Sequence, residues 1–373
     1  MKYCWLLFAV LVAPSVSRAE TIPSPFQVGQ TVRVFHPSKP RNWRGAETRA
    51  LVTTIWYPTD SGRGAEMQEI GPPGHPHYIG HALVPHASFA PGRLPVILLS
   101  HGTGGSAASL DWFASALAER GYVVAGVNHP GNNALEPLTE AGFRLWWERA
   151  SDISEVLDGV LADPQIGPHI DAKRIGAAGF SLGGYTVVEL AGARTDVLRF
   201  NRFCESAAAD AVCHPPEADA LRPRLGRKIS GHRLNDSDPA TERSLARSGA
   251  SYRDPRIRAV FAIAPALGEA FDPAGFAEIR IPVTITAGDG DVTVPIATNA
   301  RRFANLIPQA TLAILPGGVS HYTFLDQCVP ELVEEQPQIC RDADGVDRKV
   351  VHHQTAERAV SFFTKTLIDT LPR

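Results

Sequence analysis

The sequence lacks an excess of either charge: its 373 residues carry a formal net charge of -3. A nucleic-acid partner needs a basic surface and is not expected. No C-x-x-C and no neighbouring His pair accompany the cysteines, so a structural zinc site is not expected. There is no loop lysine for a P-loop and no dinucleotide glycine fingerprint. No internal repeat or linker divides the chain. What remains is a globular composition, 44% hydrophobic, long enough for one large core.

The N-terminus is a separate matter. Met1-Lys2 is a basic start, Cys4 to Val12 is apolar, and Ser17-Arg18-Ala19 offers small residues for cleavage. This predicts a secretory signal over 1–19 and a mature chain over 20–373, periplasmic or secreted. The apolar run is too short for a stable membrane anchor, and no lipobox cysteine follows it. Export exposes Cys204, Cys213, Cys328 and Cys340 to oxidising conditions. Proximity alone pairs Cys204 with Cys213 and Cys328 with Cys340.

The chain centres on Gly179-Phe180-Ser181-Leu182-Gly183-Gly184. An apolar strand-like run, Arg174 to Ala178, precedes it, and a helix-like run, Tyr185 to Ala191, follows. A serine where a strand turns sharply into a helix is the nucleophile-elbow pattern. Gly179 and Gly183 let strand and helix pass closely. The helix N-terminus beneath the serine favours negative charge.

Around this stretch strands and helices alternate. Phe26–Phe35 and Ala50–Tyr57 read as strands of an antiparallel edge. Residues 58–94 are rich in Gly and Pro and read as irregular. Their four histidines, His75, His77, His81 and His86, lack ligand spacing. Leu94–Ser100, Tyr122–Val127, Ile257–Pro265, Val283–Ala287 and Thr311–Leu315 read as strands. Ile153, Val156, Leu157, Val160 and Leu161 mark one helix face. Residues 327–350 read as a polar excursion, and Ala356–Leu371 as a closing helix with Val360, Phe363, Leu367 and Leu371 on one side. The pattern predicts a mostly parallel α/β sheet with helices on both faces. Residues 194–256 break the rhythm and read as a cap over the sheet edge. The cap's Arg222, Arg224, Arg227, Lys228 and Arg233 read first as a solvated surface and second as a selector of anionic substrates.

A serine hydroxyl needs a base within reach, and the base needs an orienting acid. His321 follows the last strand on the turn Gly317-Gly318-Val319-Ser320. His352 and His353 lie beside the closing helix and are poorer candidates. Asp289 and Asp291 both follow the strand ending at Ala287. Asp291 is favoured as the acid, with Asp289 as a loop-holding residue. The backbone N–H groups of Thr103, in the glycine-rich turn His101 to Ser106, and of Leu182 are expected to hold an oxyanion. His101, Phe180, Trp146 and Tyr322 are the candidates for the substrate pocket.

With these residues assembled, the chain resembles the α/β-hydrolase superfamily. Within it, the chain looks like the secreted, serine-dependent dienelactone-hydrolase-like group, near the platelet-activating-factor acetylhydrolases and the cutinase-like polyester hydrolases. Leu99 to Gly105, Asn128-His129-Pro130-Gly131-Asn132, Gly179 to Tyr185, Gly288 to Asp291 with Val294-Pro295, and Gly317 to His321 carry the resemblance. It differs from dienelactone hydrolases proper in having Ser181 where they have cysteine. It differs from the acetylhydrolases in having no acid in Ile263-Ala264-Pro265-Ala266-Leu267. The resemblance implies hydrolysis of small-molecule carboxylic esters through an acyl-enzyme, with no cofactor. An amidase or peptidase with the same triad, and a non-catalytic hydrolase-fold binding protein, are the alternatives. Substrate and oligomeric state are left open by the sequence.

Overall fold

A computed structural model describes residues 26–37, 40–62, 64–219 and 239–369. The expected signal over 1–19, the basic cap residues Arg222, Arg224, Arg227, Lys228 and Arg233, and Leu371 lie outside the described residues.

The central sheet uses eight strands. In chain order these are β1 (Gln27–Phe35), β2 (Leu51–Thr59), β5 (Leu94–Ser100), β6 (Val123–Val127), β7 (Ile170–Phe180), β8 (Ala259–Ile263), β9 (Val283–Gly288) and β10 (Thr311–Leu315). Their spatial order is β1-β2-β6-β5-β7-β8-β9-β10. β1 and β2 pair antiparallel, and from β6 to β10 every neighbouring pair is parallel. The strands are continuous apolar runs because both sheet faces are covered. In β5, Val96 and Leu98 join one core and Ile97 and Leu99 the other. The first core is closed by helices α3 (Glu148–Ala162) and α4 (Leu182–Ala191), and the second by α1 (Asp111–Ala118) and the helix Arg348–Phe363. The short helix Glu140–Arg144 is α2, and the helix Val197–Cys204 is α5.

Two readings of the sequence are corrected. Residues 58–94 are not wholly irregular: β3 (Glu66–Ile70) and β4 (Tyr78–Leu83) form an antiparallel pair, extended by β11 (Gln327–Cys328). β3 is mostly exposed and polar, and β4 is interrupted by Gly80 and His81, so neither strand carries a clean apolar alternation. The last helix begins at Arg348, not near Ala356. Arg348 and His352 near its start are polar but buried, while Lys349 and Val350 are exposed. The Asp347 carboxylate caps Lys349 and Val350, and Arg348 donates to the Asp326 carbonyl at 3.0 Å and to Asp342 at 2.9 Å. The buried stripe runs through Ala359, Phe363 and Leu367, with Val360 only partly buried.

His352, on this helix, stacks on Trp112 with ring centroids 4.0 Å apart, and its Nε2–H donates to the Thr323 carbonyl at 2.8 Å. Burial above all holds its imidazole down to about 3. The unfolded imidazole titrates at about 6.5. Between these values the unfolded chain binds a proton that the folded chain refuses, so this group's share of stability is lost as pH falls through that window. We expect the stability advantage of wild type over His352→Gln to narrow steadily from about pH 6.5 towards pH 4. Urea melts of both proteins at matched pH check this. A constant gap would sink it.

Candidate active site

β7 ends at Phe180, and Ser181 turns the chain into α4 with φ 56 and ψ -120. This is the left-handed region that side chains avoid, and it holds the hydroxyl up off the sheet edge. A side chain at Gly179 would strike the Gly183 carbonyl, and one at Gly183 the Ser100 carbonyl. These two glycines are therefore needed for close approach, not merely for flexibility.

The loops after β9 and β10 bring the expected partners to this serine. His321 Nε2 lies 2.9 Å from Ser181 Oγ, and His321 Nδ1 lies 2.7 Å from Asp291 Oδ2. Asp291 also accepts the Val294 N–H at 2.7 Å, which fixes its carboxylate. Asp289 points elsewhere. It accepts the N–H groups of Gly317 and Gly318 at 3.0 and 2.8 Å and so holds the turn that carries His321.

A cavity of about 70 Å³ opens at Ser181, lined also by Thr103, Leu182 and His321. Trp146, Phe143, Ala266 and Leu267 form apolar walls. The segment Ile263 to Leu267, which lacks an acid, therefore supplies wall instead. The expected cap contributes Phe200, Val212, Pro215 and Glu217. Burial pushes the Glu217 carboxyl up. None of these cap residues carries a sequence signal of its own, because Phe200 in α5 and the Val212 to Glu217 segment meet at the cavity only through folding. Larger clefts of about 500 and 590 Å³ lie elsewhere, and neither reaches Ser181.

Of the four pocket candidates, only Trp146 lines this cavity. His101 is fully buried beneath the Gly102 turn, because its ring is consumed by main-chain hydrogen bonds. Phe180 points under the site, with its ring 4.8 Å from that of His321. Tyr322 packs edge-on against His321 at 5.4 Å, outside the lining. The adjacent Trp147 anchors the helix Pro239–Leu245: its Nε1–H donates to Ser244 Oγ at 2.9 Å.

Disulfides join Cys204 to Cys213 and Cys328 to Cys340. The first closes the short loop that carries Val212 to the cavity. Removing it with Cys204→Ser/Cys213→Ser is expected to lower stability by about 2–3 kcal/mol. Denaturant melts check this, and an unchanged midpoint would show that the clip adds nothing to the stability of the fold.

Of the histidines in 58–94, His81 pairs with Glu119 at 2.9 Å. Among the described residues, no group of three or more His, Cys, Asp or Glu could hold a metal ion, and no helix is long and apolar enough to cross a membrane.

Comparison with known proteins agrees with this architecture. The chain is 34% identical over 89 residues to Lipase 1 of a Moraxella species, over 24% of this chain and 25% of that protein. It is 33% identical over 96 residues to the 20-hydroxy-prefusarin hydrolase of Gibberella moniliformis, over 26% and 22% of the two chains. The match thus spans about a quarter of the length of these curated relatives. A solved ferulic acid esterase from Streptomyces cinnamoneus shares the fold, with a TM-score of 0.60 at 21% identity over 94% of this chain and 92% of that one. The alpha/beta hydrolase family model matches residues 96–335, from the second residue after the start of β5 to beyond His321. With more than half its length in that match, the chain belongs to the alpha/beta hydrolase family.

Proposed function

We propose that this hydrolase cleaves small carboxylic esters through an acyl-enzyme on Ser181. One observation carries the reading: the Ser181 hydroxyl stands on a strained turn within 2.9 Å of a histidine that is itself held by a carboxylate at 2.7 Å. A binding protein has no use for this set.

His321 Nε2 takes the Ser181 proton as Oγ attacks the substrate carbonyl. Asp291 accepts the Nδ1–H bond, so the ring presents the correct nitrogen and its imidazolium is stabilised. The N–H groups of Leu182 and Thr103 face the developing oxyanion. The tetrahedral intermediate collapses, the C–O bond breaks, and His321 returns the proton to the leaving alcohol. Water, deprotonated by the same His321, then attacks the acyl-enzyme and releases the acid.

The small cavity and its cap wall favour a short acyl group over a long chain or a polymer. The acid's position after β9 favours the secreted dienelactone-hydrolase-like group near the cutinase-like enzymes. The signal-like start and the two disulfides support export. The test is a p-nitrophenyl ester series with a fluorophosphonate probe. Acetate and butyrate esters are expected to turn over well and palmitate poorly, with one label per chain. An unlabelled, inactive wild type would sink the proposal.

A further inference from the structure

The chain holds a second Ser–His–Asp array that this chemistry does not use. Ser100 Oγ lies 2.9 Å from His129 Nε2, and His129 Nδ1 lies 2.7 Å from Asp152 Oδ2. The separations match those at Ser181, but here all three side chains are fully buried. Ser100 cannot meet a substrate. Asp152 also accepts from Arg44 at 2.7 Å and from Arg41. Burial, then Arg149, holds the His129 ring down to about 3. The neutral ring donates from Nδ1 to Asp152, which leaves Nε2 to accept the Ser100 hydroxyl.

The array reaches the active centre through His101. The His129 backbone N–H donates to His101 Nε2 at 3.2 Å. Burial and Arg149 hold this ring neutral as well. Its proton therefore sits on Nδ1, which donates to the Gly102 carbonyl at 2.6 Å. That carbonyl belongs to the same peptide unit as the Thr103 N–H. A peptide whose carbonyl accepts a hydrogen bond becomes a stronger N–H donor. Arg149 donates to the His101 carbonyl, and the Gly104 N–H donates to Asn132 Oδ1 at 2.7 Å. The Thr103 peptide is thus held on both sides.

We infer that His101 is a positioning residue: it orients and polarises the Gly102–Thr103 peptide that serves the oxyanion, and the buried Ser100–His129–Asp152 array with Arg149 fixes its ring. The inference rests on the serine-hydrolase reading of Ser181.

The test compares wild type with His101→Leu, His101→Asn and Ser100→Ala. It measures kcat and KM on p-nitrophenyl butyrate, affinity for a trifluoromethyl ketone that adds to the serine, and melting temperature. His101→Leu is expected to lower kcat roughly 30-fold, less than the loss of a whole oxyanion donor, with KM nearly unchanged. Ketone affinity falls by the same factor, because its adduct carries the same oxyanion. His101→Asn, whose amide N–H stands near Nδ1, recovers most of the loss. Ser100→Ala lowers kcat by about threefold without changing KM, as expected for a residue acting through two intermediaries. A folded His101→Leu with wild-type kcat, or a loss confined to KM, overturns the inference. Equal losses in the Leu and Asn variants also overturn it. If neither His101 variant folds, Ser100→Ala decides, and wild-type kcat and ketone affinity overturn it. An inactive, unlabelled wild type overturns the parent reading, and this one with it.

Discussion

Ser181→Ala is expected to lower kcat by roughly 10⁴–10⁶ and to abolish fluorophosphonate labelling. In the proposed reaction the bond to carbon forms at Oγ, and among the described residues no other hydroxyl lining the cavity bonds to His321 Nε2. Thr103 and Thr293 also line it, but neither bonds to His321. The backbone explains why the change leaves the fold intact. Residue 181 keeps φ 56 whichever small side chain it bears, held by its N–H on the Ile263 carbonyl at 2.9 Å and its carbonyl on the Ala266 N–H at 3.1 Å. Melting temperature therefore stays within a few degrees. Ser181→Gly, equally inactive, is expected to gain about 1 kcal/mol because glycine adopts positive φ without strain. Residual turnover near wild type in the alanine variant would move the nucleophile elsewhere.

Asp291→Asn is expected to lower kcat by about 10⁴ with little change in KM. The amide can turn its N–H towards His321 Nδ1. The ring then carries its proton on Nε2, the nitrogen that must accept from Ser181 at 2.9 Å. Asp289→Asn separates the two aspartates. Asp289 accepts two main-chain N–H groups, from Gly317 and Gly318, and the amide oxygen can keep one of them. That variant is expected to lose about 1–2 kcal/mol of stability and to keep most of kcat. The opposite ranking in a steady-state assay would assign the acid to Asp289.

Much of this was legible in adjacent residues. Gly179 is demanded by the crossing with the Gly183 carbonyl inside the elbow, so the motif itself reports it, whereas Gly183 meets the Ser100 carbonyl of β5. β5 and β6 are short apolar runs because neighbours cover both faces, and run length is a local signal. The β3–β4 pair escaped because β3 is exposed and polar and β4 is short, with Gly80 and His81 inside it. The true start of the last helix escaped because Arg348 and His352 are buried by hydrogen bonds and stacking, not by hydrophobicity. His101 looked like a pocket residue because it sits beside the glycine turn, yet its ring faces the interior.

The sequence by itself determined the elbow, the sheet and the order in which serine, aspartate and histidine arrive. Each depends on requirements met within a few consecutive residues. Only the tertiary structure decided which aspartate faces His321, which residues wall the cavity and what His101 does. Those depend on how strand ends line up: Ser100 beside Gly179, and Phe180 beside Ile263. Side chains far apart in the chain meet only once that register is set, and no local pattern encodes the meeting.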